Sequence, residues 1–227
     1  MIDTLDHYCH RSLEHITDTF TTHPTLAEKV APSGALLPFW GNTVVFTLSD
    51  ADKERVAQLQ HELYRAAGFL LAEPLSADTF HMTLHDLVNG AGPLPPEGSA
   101  PYSALLAAEE AVRPMLASWH RRAPLRMRGS WMFNMNQTSL VLGLKPDDHE
   151  TYLKLCGMYA ALQQVVPLKH KLCPHITLAY YKPASCTAKQ LDALKTALRP
   201  VPLVFELDCS RLHLQRFTDM NHYTTLL

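Results

Sequence analysis

The chain reads as a mixed α+β protein in which one unit, strand, helix, strand, helix, strand, is used twice. Three observations predict this. Apolar runs of period two alternate with longer stretches of helical period. The order of these elements in the first half recurs in the second. A short strand motif, His-x-Thr-Leu, stands at the equivalent place of each half, as "HMTL" (81–84) and "HITL" (175–178). With 227 residues, 47% of them hydrophobic, the chain can bury a sizeable core, as one large domain or as two closely packed lobes.

Residues 1–40 read as an N-terminal extension. "DTLDHYCHRSLEHITDTF" (3–20) has helical spacing of apolar positions, and the stretch after it is broken by Pro24, Pro32, Gly34 and Pro38. The remainder divides into lobes over about 41–135 and 136–227. In the first, "NTVVFTL" (42–48) is a β-branched strand. Ser49 or Asp50 then caps a helix whose stripe is Val56, Leu59, Leu63 and Ala67 and which Gly68 ends. "FLLAEPL" is predicted as a short strand and "TFHMTLHDLV" as a long one. A loop rich in Gly and Pro leads to an Ala-rich helix at about 102–120 and a strand near "PLRMRGSWMFNMN". In the second lobe "SLVLGLKP" is a strand, "DDHETYLKLCGMYAALQQ" a capped helix, "PHITLAYY" the second motif strand and "TAKQLDALKTALR" a helix. "PLVFELDCSRLHLQRF" closes the lobe as one long strand or two short ones. Val44 precedes His81, and Leu140 precedes His175, by nearly equal spacings, as a duplication requires.

Composition excludes several function classes. The formal charge of −2, with no long run of Lys or Arg, argues against coating long duplex nucleic acid by phosphate neutralisation, but leaves room for a small anionic ligand held by a few donors. The five cysteines (Cys9, Cys156, Cys173, Cys186, Cys209) are odd in number and lack a CxxC pair, which fits reduced structural thiols. No signal-peptide pattern and no run of eighteen apolar residues occurs, so no membrane partner is expected and the default location is the cytoplasm. Neither the Gly-rich first turn of a dinucleotide-binding sheet nor a GxxxxGK[ST] loop is present.

The bare pattern His-x-Thr is weak evidence. With 13 histidines and 18 threonines, chance supplies it about once, and it occurs six times, at His15, His23, His81, His149, His175 and His222. Context removes four. His15 lies in a predicted helix, where positions two apart point in different directions. His23 precedes Pro24, which has no place in a central strand. His149 falls in a capping stretch, and His222 is five residues from the chain end. His81 and His175 remain, each within an apolar strand.

On a strand, residues two apart share a face, so His81 projects with Thr83 and His175 with Thr177, while Met82, Leu84, Ile176 and Leu178 point into the lobes. If a two-fold axis relates the halves, both faces line one cleft. Two imidazoles that exchange protons near neutral pH then meet two hydroxyls able to bond phosphoryl oxygens. Such a set suits in-line attack at phosphorus: one neutral histidine takes the proton of water or a ribose hydroxyl, and the protonated partner donates to the leaving oxygen. No metal cofactor is needed, because the proton transfers and the charge are covered.

The paired strands "HMTL" and "HITL" resemble the signature of the 2H phosphoesterase superfamily, which includes the 2′,5′-RNA ligase-like proteins and the cyclic nucleotide phosphodiesterases. In detail the similarity covers these eight residues, and as order of elements it covers about 40–217. The Pro- and Gly-containing N-terminal extension, with "PFWGNTVVF" (38–46), resembles an uncharacterised bacterial branch of that superfamily. The resemblance implies a two-lobed, pseudo-symmetric α+β fold with antiparallel sheets flanking a central cleft and helices outside. It also implies metal-independent cleavage of 2′,3′-cyclic or 2′,5′-linked phosphodiesters, with a small nucleotide or RNA terminus as the partner. His81 and His175 become the acid–base pair, and Thr83 and Thr177 the phosphate clamps. A non-catalytic nucleotide-binding module using the same cleft, and ligation as the reverse of cleavage, stay open.

Flanking residues carry further readings. His85, at i+4 from His81, is expected on the same face, as a substrate-binding neighbour, as a simply solvated residue, or as a zinc ligand with His81 and His175. Tyr181, at i+6 from His175, is expected there too, as a stacking surface for a base or as an ordinary strand-end residue. Trp40 reads as packing, and Met132, Phe133 and Met135 as core. The pairs Arg126 with Arg128 and Lys169 with Lys171 are either solvated or turned toward a phosphate. Asp147 and Asp148 are explained by the positive end of a helix dipole.

Overall fold

The computed structural model describes Ile2, Leu13 and residues 16–227. Of the helix expected over 3–20, positions 3–12, 14 and 15 lie outside the described residues. Its last positions belong to strand β1 (Thr19–Thr21), which pairs antiparallel with β7 (Ser185–Thr187).

The other eight strands form one antiparallel sheet curled into a half-barrel. They are β2 (Phe39–Thr47), β3 (His81–Ala91), β4 (Leu125–Met135), β5 (Ser139–Pro146), β6 (His175–Tyr180), β8 (Val204–Leu207), β9 (Leu212–Asp219) and β10 (His222–Thr225). The order is β10-β9-β2-β3-β6-β5-β4-β8. It consists of two four-stranded halves that meet where the motif strands β3 and β6 touch. Among the described residues a single register pair, Met82 with Ile176, joins them. The expected α+β fold with two related halves is therefore present.

The boundary between the halves differs from the one read in the sequence. A division at 135/136 fails because β4, though in the first half of the chain, pairs with β5 and β8 beside the second motif strand. Strands β9 and β10, at the end of the chain, pair back onto β2 beside the first. Each half-sheet thus completes itself with strands from the other half of the sequence, which ties the lobes into one body.

Helices form where capping and apolar stripe coincide. In α1 (Asp50–Ala67) the Ser49 hydroxyl accepts from Asp52 N–H, Gly68 ends the helix, and Val56, Leu59, Leu63 and Ala67 are buried as the stripe requires. The helix packs on β6 and on α4 (Asp192–Ala197), and Gln60 donates to the Leu75 and Leu178 carbonyls. The other two are α2 (Ala100–Trp119), set on β3 and β9, and α3 (His149–Leu162), capped by Asp148 and set on β4 and β5. Asn42 and Glu109 are buried between α2 and the sheet, where Glu109 takes a two-pronged contact from Arg216 and Asn42 bonds the Leu105 carbonyl.

Three local expectations change. "FLLAEPL" is no strand: a 3-10 turn (Gly68–Leu70) and an isolated bridge from Leu71 to Tyr181 stand there. "TAKQLDALKTALR" is split, with a 3-10 turn held by the Thr187/Gln190 capping box before the short α4. The closing apolar stretch takes the second of its two expected forms, two strands, β8 and β9, parted by the turn Cys209–Arg211. Asp147 serves Arg126 and Arg128 as an ion-pair partner, whereas Asp148 is the helix cap. No helix among the described residues is long and apolar enough to cross a membrane.

Candidate active site

Strands β3 and β6 share one pattern. Over six residues, His81–Asp86 and His175–Tyr180, the order of half-buried and buried positions is identical. The cause is a β-bulge at the same place in each. Val45 and Val44 of β2 oppose Thr83 and His85, leaving Leu84 as the extra residue. Val141 and Leu140 of β5 oppose Thr177 and Ala179, leaving Leu178 extra. Val44 and Leu140, paired in the sequence by spacing, are equivalent in space.

A bulge reverses which residues face which side. Up to the bulge the alternation expected from the sequence holds, so His81, Thr83, His175 and Thr177 all line one cavity of about 440 Å³. Beyond it the face passes to Asp86 and Tyr180. Tyr181, expected beside His175, is instead only 1% exposed, 5.1 Å from the Phe20 ring, with no hydrogen-bond partner for its hydroxyl among the described residues. It is core, and its neighbour Tyr180 is the aromatic residue at the cavity. His85 borders the cavity but is also turned inward, 1% exposed, with its ring 5.2 Å from that of Tyr159. Burial pushes its proton affinity below the ordinary imidazole value. Among the described residues no three His, Cys, Asp or Glu side chains gather as metal ligands would.

The two motif imidazoles are held alike. His81 Nδ1 lies 2.6 Å from the Thr79 carbonyl oxygen, and His175 Nδ1 lies 2.7 Å from the Cys173 carbonyl oxygen. A carbonyl only accepts, so each Nδ1 carries the proton and donates it, and proton exchange with a ligand falls to Nε2. The turn Ala77–Thr79 before β3, with Ser76 accepting from Asp78 N–H, sets the first of these carbonyls. Burial pushes His81 down to about 4, against the pull of the Thr79 carbonyl and the Asp86 carboxylate. The charge of His175 adds to the depression, so the rings sense each other across the cavity. The Thr83 and Thr177 hydroxyls bond to no other described residue, which leaves them for a ligand.

Several lining residues had no sequence signal. Asp86 is the sole acidic side chain among the described residues of the lining, and Thr43 Oγ1 stands 3.3 Å from its Oδ1. Thr43 and Ser139 are equivalent, opposite Asp86 and Tyr180, the second residue after each bulge, and both bring hydroxyls. Met135 lines the cavity although it reads as core, whereas Met132 and Phe133 are buried as expected. Lys171 is at the rim and Lys169 is not. Arg126 and Arg128 are away from it, paired with Asp147. Trp40 is buried against Gly90, where an added Cβ would come 2.9 Å from the indole.

The fold defines the class: a LigT-type α+β architecture, as the 2H resemblance implies. A conserved protein of unknown function from Agrobacterium tumefaciens, ATU0111, superposes with a TM-score of 0.62 at 19% identity, over 92% of this chain and 93% of that one. Escherichia coli LigT in complex with 3′-AMP gives 0.53 at 15% identity, over 83% and 96%. TT0787 of Thermus thermophilus gives 0.52 at 18%, over 82% and 95%. No protein-family model and no curated protein matches the chain.

Proposed function

We propose that this protein is a phosphodiesterase that cleaves 2′,3′-cyclic or 2′,5′-linked phosphodiesters of nucleotides or RNA termini without a metal ion. The observation that carries the reading is the matched pair of imidazoles, each locked through Nδ1 to the carbonyl two residues before it and each set beside an unengaged threonine hydroxyl in one cavity. The cavity volume is within the range of small-ligand sites, roughly 300–1,000 Å³.

The reaction balances with these groups. Water attacks phosphorus opposite the leaving ribose oxygen, and the new P–O bond forms as the old one breaks. One Nε2 takes the proton lost by water, and the other, protonated at the start, gives its proton to the leaving oxygen. Thr83 and Thr177 donate hydrogen bonds to the non-bridging oxygens, whose charge grows in the transition state. His81, neutral at pH 7 in the free protein, takes the part of the base, and His175 that of the acid.

The test is to assay 2′,3′-cyclic nucleotides and 2′,5′-linked dinucleotides in excess EDTA. Turnover is expected. Tight binding without product would replace the enzyme by a nucleotide sensor, and loss of turnover on chelation would replace the mechanism by a metal-dependent one.

A further inference from the structure

The extension before β2 reaches the cavity. Its described part is fastened on several sides: β1 pairs with β7, His23 N–H donates to the Gln137 carbonyl, and Leu36 N–H donates to Glu73 Oε1. Gly34, at φ +96°, receives Glu73 N–H on its carbonyl, and a Cβ there would press on Lys182. Between these ties Lys29 has both backbone groups engaged, its N–H with the Leu26 carbonyl and its carbonyl with Leu37 N–H, and its neighbours Leu26 and Val30 are buried. The side chain thus leaves a fixed point of the backbone, unlike that of an ordinary surface lysine.

Lys29 lines the cavity, half-buried, with Nζ 4.4 Å from the Phe39 ring centroid and 6.0 Å from that of Tyr180. No carboxylate among the described residues forms an ion pair with it. The aromatic rings attract the ammonium but cannot neutralise it. From Lys29 a chain of rings runs to the reacting groups: Phe39 stacks on Phe217 at 6.3 Å, Phe217 meets Tyr223 at 5.4 Å, and Tyr223 meets His81 edge-on at 5.3 Å. A cation without a counter-charge, reached along an aromatic wall from the imidazole, matches a ligand with a flat body and a second anion at its far end.

Resting on the phosphodiesterase reading, we infer that Lys29, with Phe39 and Tyr180, forms a second subsite that binds a non-reacting phosphate of the substrate. The favoured substrate is then a nucleotide that carries a phosphate monoester besides the diester held between the imidazoles, such as a 5′-phosphorylated 2′,3′-cyclic nucleotide. The extension is a specificity element, and Lys29 its charge.

The experiment compares 2′,3′-cyclic nucleoside monophosphates with and without a 5′-phosphate, using the full chain, Lys29→Met and Lys29→Arg. The parent is expected to favour the 5′-phosphorylated substrate by about tenfold or more in kcat/KM, mainly through KM, the scale of one charge-assisted contact. Lys29→Met, which keeps the length and packing of the side chain, should bring the ratio close to one, and Lys29→Arg should retain most of it. A parent without preference, or a Met variant that keeps it, overturns the inference. Calorimetry with a nucleoside 3′,5′-bisphosphate against a nucleoside 3′-monophosphate repeats the comparison without turnover. Discrimination in binding with no catalysis would sink the phosphodiesterase reading and keep the subsite; catalysis with no discrimination would do the reverse.

Discussion

Met82 pairs with Ile176, and around this contact the chain is closely two-fold symmetric: His81 answers to His175, Thr83 to Thr177, and the bulge at Leu84 to the bulge at Leu178. Both side chains are fully buried, so the position of each imidazole relative to the other depends on packing beneath them. Met82→Ala or Ile176→Ala should cost about 2–5 kcal/mol of stability, and Ile176→Val about 0.5–1.5 kcal/mol. Denaturant titration measures the loss. The Ala variants should also lose turnover in the fraction still folded, because the halves shift at their junction, whereas the Val variant should keep it.

His81→Ala and His175→Ala should each lower turnover by about 10²–10⁴, the usual contribution of a positioned acid or base. Folding should survive, since both rings border a cavity and neither fills the core. In the parent, kcat/KM should rise with pH as His81 becomes neutral, with the acid limb near 4 because burial depresses that ring. The limb should vanish in His81→Ala. If it persists there, His81 is not the base.

The motif histidines and threonines were legible because period-two alternation holds up to the bulges, so HMTL and HITL each specify one exposed and one buried face. Past Leu84 and Leu178 the same reasoning misassigns His85 and Tyr181, and nothing in the residue types announces the extra position. The order of elements was legible from caps and stripes such as Ser49 with Val56, Leu59 and Leu63. Strand exchange was not, since β4 and β9 carry apolar patterns that suit either half-sheet equally well. Lys29 was invisible for a different reason: only the tertiary path of the extension brings it over Phe39 and Tyr180.

Stability should fall on mild acidification. Burial lowers the proton affinity of His81, His85 and His213 in the folded chain, whereas an unfolded imidazole titrates near 6.5. Between about 6.5 and 4 the unfolded chain therefore binds more protons than the folded one, and the unfolding free energy rises with pH across that window. The stabilisation is complete above 6.5 and is lost as pH falls toward 4. Asp148 and Asp208, held below the ordinary carboxylate value by the backbone N–H groups of Thr151 and Ser210, add a further loss below about 4. Thermal melts from pH 7 to 4.5 should show a declining Tm, with a shallower decline in His81→Gln. A flat Tm across that range would contradict the burial of these rings.

Tyr180 and Tyr181 offer a direct test of the bulge. Tyr181 packs its ring against Phe20 and leaves its hydroxyl buried among the described residues without a partner, which desolvates a polar group for no return. Tyr181→Phe keeps the packing and removes that penalty, so stability should hold or rise by up to about 1 kcal/mol, and KM should not change. Tyr180, whose hydroxyl donates to Met220 Sδ at 3.2 Å and whose ring faces Lys29, borders the cavity. Tyr180→Ala should raise KM severalfold while kcat falls less. Were Tyr181→Phe to raise KM and Tyr180→Ala to leave it alone, the face would not switch at Leu178, and the base-stacking residue would be the one that simple alternation along β6 points to.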